Sequence, residues 1–200
     1  MTRAIEILTS EHRVIELVLS SLETFIEKVG SGIEDERATL RDYVSFLQGF
    51  ADQCHHGKEE NILFATMASR GFPEETGPLA VLHLEHLMGR GYIGALASIA
   101  EGSKPLTREE REILTTHALA YIGLLRAHIQ KEDTVLYPVA TRVIPSPEME
   151  KLAEKFDDFE SRETPGRHET LRALVEQLVE AFPPDPSRTA SPRRGPCYGL

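Results

Sequence analysis

The sequence is poor in cysteine, with Cys54 and Cys197 the only two in 200 residues. Cys54 falls inside a helical pattern and Cys197 in the C-terminal tail, so no structural disulfide is expected. The reducing cytoplasm is the expected compartment. No apolar run approaches the length of a membrane-spanning helix, and the opening MTRAIEILTSEH lacks the apolar core of a secretion signal. Positive charge is also in short supply. The formal net charge of -10 excludes nucleic acid and an anionic membrane as main partners. No stretch alternates apolar and polar residues as a strand pair would.

Apolar residues at helical spacing are present almost everywhere. They predict long helices at about 9–29, 34–69, 74–101 and 107–142. Ser31-Gly32, Gly71-Phe72-Pro73 and Gly102 with Pro105 separate them, and Pro145 and Pro147 close the last. Thr107 with Glu110 has the form of a capping box, and Pro138 predicts a kink in the fourth helix. The expected fold is all-α: an up-down-up-down four-helix bundle over 1–145. Two further helices over 146–182 would pack on it. The Pro-, Ser- and Arg-rich segment 183–200 reads as a flexible tail.

One pattern is written twice. HHGKEENILF begins at His55 and HIQKEDTVLY at His128. Helical spacing puts His55 with Glu59, and His128 with Glu132, on common faces that neighbouring apolar residues turn inward. The echo extends upstream, to Glu11-His12 before the first copy and Glu85-His86 before the second. Buried imidazoles and carboxylates need pairing or a metal to offset their lost hydration. Two such hairpins about a pseudo-twofold axis would bring His12, His55, His86 and His128 together with Glu59 and Glu132. That set suits two first-row transition ions, with the carboxylates near the axis and a bridging oxo or hydroxo group completing the charge balance. Iron fits best, in the ferrous or ferric state, with manganese or zinc as substitutes. Structural zinc prefers closed sites, usually with thiolates, and calcium and magnesium prefer oxygen.

EHRVIELVLSSLE, CHHGKEENILF, LEHLMGR and HIQKEDTVLYP together resemble the four helix motifs of the hemerythrin-like, or HHE cation-binding, proteins, over about residues 5–145. The resemblance implies a bundle around a non-haem di-iron centre, bridged by two carboxylates and an oxygen, with a position open to dioxygen. It places the metal ligands at His12, His55, Glu59, His86, His128 and Glu132. The family's oxygen carriers have an additional third-helix histidine four residues before its partner. Here His83 precedes His86 by three and reads equally as a seventh ligand or as a supporting residue. The carriers also place Asp five residues after the fourth-helix histidine, where this chain has Glu132 at four. A related branch that repairs iron centres has a cysteine-bearing N-terminal domain, which a first helix starting near residue 9 leaves no room for.

His56, about 100° around the helix from His55, is a rival to it in a register with Glu60, or an added ligand. Tyr43, Tyr92, Tyr121 and Tyr137 read as core or rim residues. The leading functional expectation is a protein that binds or senses dioxygen, or another small diatomic such as nitric oxide, or iron itself. A di-iron oxidase, peroxidase or nitric-oxide-handling enzyme is the alternative, and a metal-free helical interaction module the third. Monomer and homodimer are both open.

Overall fold

The computed structural model describes residues 2–33, 35–163 and 167–186; the expected tail beyond 186 lies outside them. The described residues form six helices and no strand. The first, α1 (Arg3–Lys28), starts earlier than the expected residue 9. The reason is that Ala4, Ile5 and Leu8 are buried in an apolar cluster at that end of the molecule. The second, α2, spans 36–69. Within it Leu47–His56 and Glu59–Phe64 are π-helical, between α-helical Glu36–Phe46 and Ala65–Ser69. The third is α3 (Gly77–Ala100). The fourth, α4, spans 108–143 and carries a π-helical turn at Glu132–Leu136 between Arg108–Lys131 and Tyr137–Val143.

The Thr107 capping box is present. The Glu110 N–H donates to Thr107 Oγ1 at 3.2 Å, and the Thr107 N–H donates to Glu110 Oε2 at 2.8 Å. Pro138 sits two residues after the end of the π-helical turn. A wider turn tolerates a residue with no N–H and a ring that would press on the preceding turn. At the far end of the bundle Arg37 donates to the carbonyls of Ile99 and Lys104, and Arg41 to Ala100 O, which satisfies the open end of α3.

The apolar core is split in two. One cluster gathers Ile15 to Ile26 of α1, Leu40 to Ala51 of α2, Ile93 to Ala100 of α3 and Leu114 to Ile129 of α4. The other gathers Ala4 to Leu8, Leu63 to Met67, Leu79 and Leu82, and Leu136 to Ala140. Each long helix therefore passes through both clusters, and between them each carries polar residues that are nonetheless buried: Glu11 and His12, His55 to Glu59, His86, and His128 with Glu132.

Two more helices cover the flanks. Helix α5 (Ser146–Glu163) packs on α1 and on the π-helical parts of α2, and α6 (Arg167–Ala181) packs on α1 and α2. The α5 contact is close at Gly57, where a Cβ would meet the Phe159 ring at 2.8 Å. Gly57→Ala is therefore expected to cost about 1–3 kcal/mol by overpacking. Phe159→Leu in the same chain should recover most of it, as read by urea unfolding of the single and double variants.

Candidate metal centre

Five imidazoles meet between the two apolar clusters, and each has its Nδ1 fixed by a carboxylate. His55 Nδ1 lies 2.8 Å from Glu11, His86 Nδ1 2.6 Å from Glu60, His128 Nδ1 2.9 Å from Glu85, and His12 Nδ1 2.8 Å from Asp133. His56 Nδ1 lies 3.3 Å from Asp52. An ionised carboxylate only accepts, so each Nδ1 carries a hydrogen and each Nε2 is turned inward.

Every one of these carboxylates is also held by a cation. Lys58 donates to Glu11, Lys131 to Glu85 and Arg13 to Asp133. Arg90 donates to Glu60 at 3.0 Å and to Asp52 at 2.9 Å. Four of the contacts form a closed circuit. A carboxylate of α1 grips the histidine of α2, one of α2 that of α3, one of α3 that of α4, and Asp133 of α4 returns to His12 of α1. In each case the cation stands on the same helix as the histidine.

Three carboxylates of this outer ring are held in their ionised form. Glu60 is half-buried, which works against its charge, but hydrogen bonds from His86 and Arg90 hold it at about 2. Asp52 and Glu85 are likewise held below their usual values against partial burial, by His56 with Arg90 and by Lys131 with His128.

The inner atoms are short of partners. His55 Nε2, His56 Nε2, Glu59 Oε2 and both Glu132 oxygens are buried and make no hydrogen bond. Glu132 lies 3.2 Å from His12 Nε2 and 3.1 Å from His128 Nε2, within contact range but without hydrogen-bond alignment. Glu59 Oε2 stands 3.7 Å from His55 Nε2 and 3.6 Å from His86 Nε2. His86 and His128 bring their Nε2 atoms within 3.0 Å, two lone pairs that only a proton or a cation between them reconciles.

Two buried groups result whose donor atoms lie within 4.8 Å of one another: His12, His55, Glu59 and Glu132; and His56, Glu59, His86 and His128. Either group could hold a metal ion. Burial pushes the His55, His56 and His86 imidazoles down, so they are neutral donors. Burial also lowers His12, but the hydrogen bond to Asp133 and the negative charge of Glu132 beside it outweigh that and raise the imidazole to about 9. Burial and the charge of Glu132 push Glu59 up, while Glu132 is held down, against its burial, by His128 and His12.

Six of the expected positions, His12, His55, Glu59, His86, His128 and Glu132, thus come together. His83 does not join them. It is half-buried, edge-on to Phe64 with ring centres 5.2 Å apart, in a separate group with Glu60 and His86. The fifth imidazole of the cluster is His56. The π-helical backbone brings it inward: the Gly57 N–H reaches back five residues to Asp52 O, which narrows the angle between neighbouring side chains.

Tyr137 belongs to the site rather than to the rim. Its hydroxyl donates to Glu59 Oε1 at 2.7 Å and lies 3.2 Å from His12 Nε2, and its ring stacks on His12. The residues that sequence reading missed are Glu11, Asp52, Glu60, Glu85 and Asp133 as partners of the imidazoles. The repeated Glu-His pairs and the second acid of KEE and KED were the available signals.

The hemerythrin HHE cation-binding domain model matches residues 3–140. The chain belongs to that family. Its relatives include the uncharacterized proteins Rv1995 of Mycobacterium tuberculosis and Mb2018 of Mycobacterium bovis. Each is 25% identical over 157 residues, covering 78% of this chain and 61% of the relative. The chain therefore spans about three fifths of the length of these curated relatives. No solved structure matches it.

The circuit predicts unequal roles for its two lysines. Lys58 is fully buried between Glu11 and Glu160, whereas the side chain of Lys131 is 44% exposed. Lys58→Met strands the Glu11 carboxylate and should cost about 3–5 kcal/mol. Lys131→Met should cost less than about 1 kcal/mol. Chemical denaturation of the two variants side by side measures the difference.

Proposed function

We propose that the chain holds two non-haem iron ions and binds or senses a small diatomic ligand, dioxygen or nitric oxide. In this reading the four long helices run up-down-up-down. His12, His55, Glu59 and Glu132 would hold one ion, and His56, His86 and His128 with Glu59 the other. The observation that carries it is the set of inward lone pairs with no hydrogen to receive. Neutral imidazoles with two carboxylates and no thiolate favour iron or manganese over structural zinc. Ferrous iron would supply electrons that a bound diatomic takes up and returns.

The chain's own residues prepare that chemistry. The outer carboxylates fix each tautomer and ring direction, so the shell is organised before metal arrives. The two apolar clusters keep bulk water from the centre. The Tyr137 hydroxyl, hydrogen-bonded to Glu59 beside His12, places a proton donor at the edge of the site. Tyr137 also supports the enzyme reading, a peroxidase, oxidase or nitric-oxide-handling catalyst. Tyr137 lines a surface cavity of about 510 Å³ together with Ile5, Thr9, Asp133, Pro138 and Thr141.

Elemental analysis of freshly purified protein should give two metal ions per chain, falling in Glu59→Gln and Glu132→Gln. Mixing the ferrous protein with dioxygen should give an absorbance change that reverses on deoxygenation. Steady consumption of hydrogen peroxide that Tyr137→Phe slows would select the enzyme instead. A protein that neither contains metal nor is stabilised by ferrous iron refutes both.

The pH dependence has a definite sign. In the metal-free protein His12 is raised from 6.5 to about 9, so its contribution is complete below 6.5 and is lost as pH rises through 9. Metal must displace that proton, so the loaded protein has no such term. Across this window the Tm of the metal-free protein should fall while that of the ferrous or manganous protein holds. Calorimetry in buffers of different ionisation enthalpy should show protons released on loading.

A further inference from the structure

The outward face of α3 is apolar and carries no charge. Val81, Leu84, Leu87 and Met88 are 47%, 57%, 63% and 44% exposed. Gly91, Gly94 and Ser98 continue the same face, with nothing within 4 Å of where a Cβ would stand on either glycine. At helical spacing these residues form one stripe along the helix. The only charged residues of α3 are Glu85 and Arg90, and both are committed to the metal centre: Glu85 to His128 and Lys131, Arg90 to Asp52 and Glu60. A helix whose exposed face is uncharged, on a chain of net charge -10, marks an interaction surface.

The stripe is divided by side-chain size. Its N-terminal half is large, Val81 to Met88, and its C-terminal half is small, Gly91 to Ser98. We propose that this face pairs with the same face of a second copy of the chain, in an antiparallel twofold contact centred near Gly91. The dyad sets Leu84 of one copy against Ser98 of the other, and Leu87 and Met88 against Ala95 and Gly94. Large side chains then enter the hollow left by small ones at both ends, which is the self-complementarity an isologous interface requires. A parallel arrangement would set large on large and leave the hollows facing each other. Contact through the uncharged stripe also keeps the two acidic bodies from meeting charge to charge. A helix of 24 residues is about 36 Å long, and a pair of that length lies at the lower end of specific interfaces. The association expected is micromolar.

Analytical ultracentrifugation of the full chain from about 1 to 100 µM should show a shift from 22.4 kDa toward twice that mass. Leu84→Glu should weaken the dimer about tenfold or more. Gly94→Leu tests the hollow specifically: it removes no contact within the monomer, so the helix content and melting temperature should be kept while the dimer is lost. In a Cys197→Ser background, Gly91→Cys should form an intermolecular disulfide with itself. Leu84→Cys should form one only when mixed with Ser98→Cys. A chain that stays monomeric to 100 µM assigns the face to another protein or to a lipid surface and overturns the proposal. A dimer indifferent to Leu84→Glu and Gly94→Leu, or Leu84→Cys pairing with itself, overturns it as well. None of these readouts depends on which metal the centre holds.

Discussion

The closed circuit of carboxylate–imidazole contacts is the constraint on which the rest of the molecule depends. Each of the four long helices gives one carboxylate to the next and receives one from the last on a histidine and a cation. Charge therefore balances within the ring, which is how so much of it can be buried. Removing the buried Lys58 takes the cation from the Glu11 carboxylate in a place water does not reach. The register of each helix against its neighbours is set by these polar joints, and the apolar clusters above and below fill the remaining space.

The ring is nearly twofold, and its departures from symmetry matter. Lys58 is buried because α5 covers it and adds Glu160, while its counterpart Lys131 faces solvent. His56 has no counterpart, since the second copy of the motif has Ile129 there. The additional imidazole joins His86 and His128 and leaves His12 and His55 on the other side. In the proposed reading the two ions are therefore inequivalent, one with three imidazoles and one with two. Tyr137 stands on the side with two, beside the about 510 Å³ cavity. The ion with two imidazoles is thus the one next to a proton donor.

Much of this was legible in the sequence because the motif is duplicated. Periodicity located the four long helices, and the repeat aligned His12 with His86, His55 with His128 and Glu59 with Glu132. What failed to show was what depends on contact between helices. Glu11 adjoins His12 in the chain but serves His55, and Asp133 adjoins Glu132 but serves His12. Local spacing cannot say which neighbour's neighbour a carboxylate reaches. The π-helical turns were also invisible. They change the angle between successive side chains, and that change admits His56. The expected seventh position, His83, was placed on the correct helix but faces Phe64.

Helix α3 shows how the inner ring constrains the outer surface. The circuit asks each long helix for one acid and one base near its middle, and α3 supplies Glu85 and Arg90 and has no other charge. Those two residues meet the demand of the centre and leave its outer face free of any electrostatic requirement. Solubility alone would favour charge there, as on α1, whose exposed positions include Glu6, Glu27 and Lys28. The absence of charge on α3 is thus not a by-product of building the metal site, since α1 builds its share of the same ring and keeps a polar exterior. In the proposed dimer, burial between molecules would account for both the apolar residues and their division into a large half and a small half.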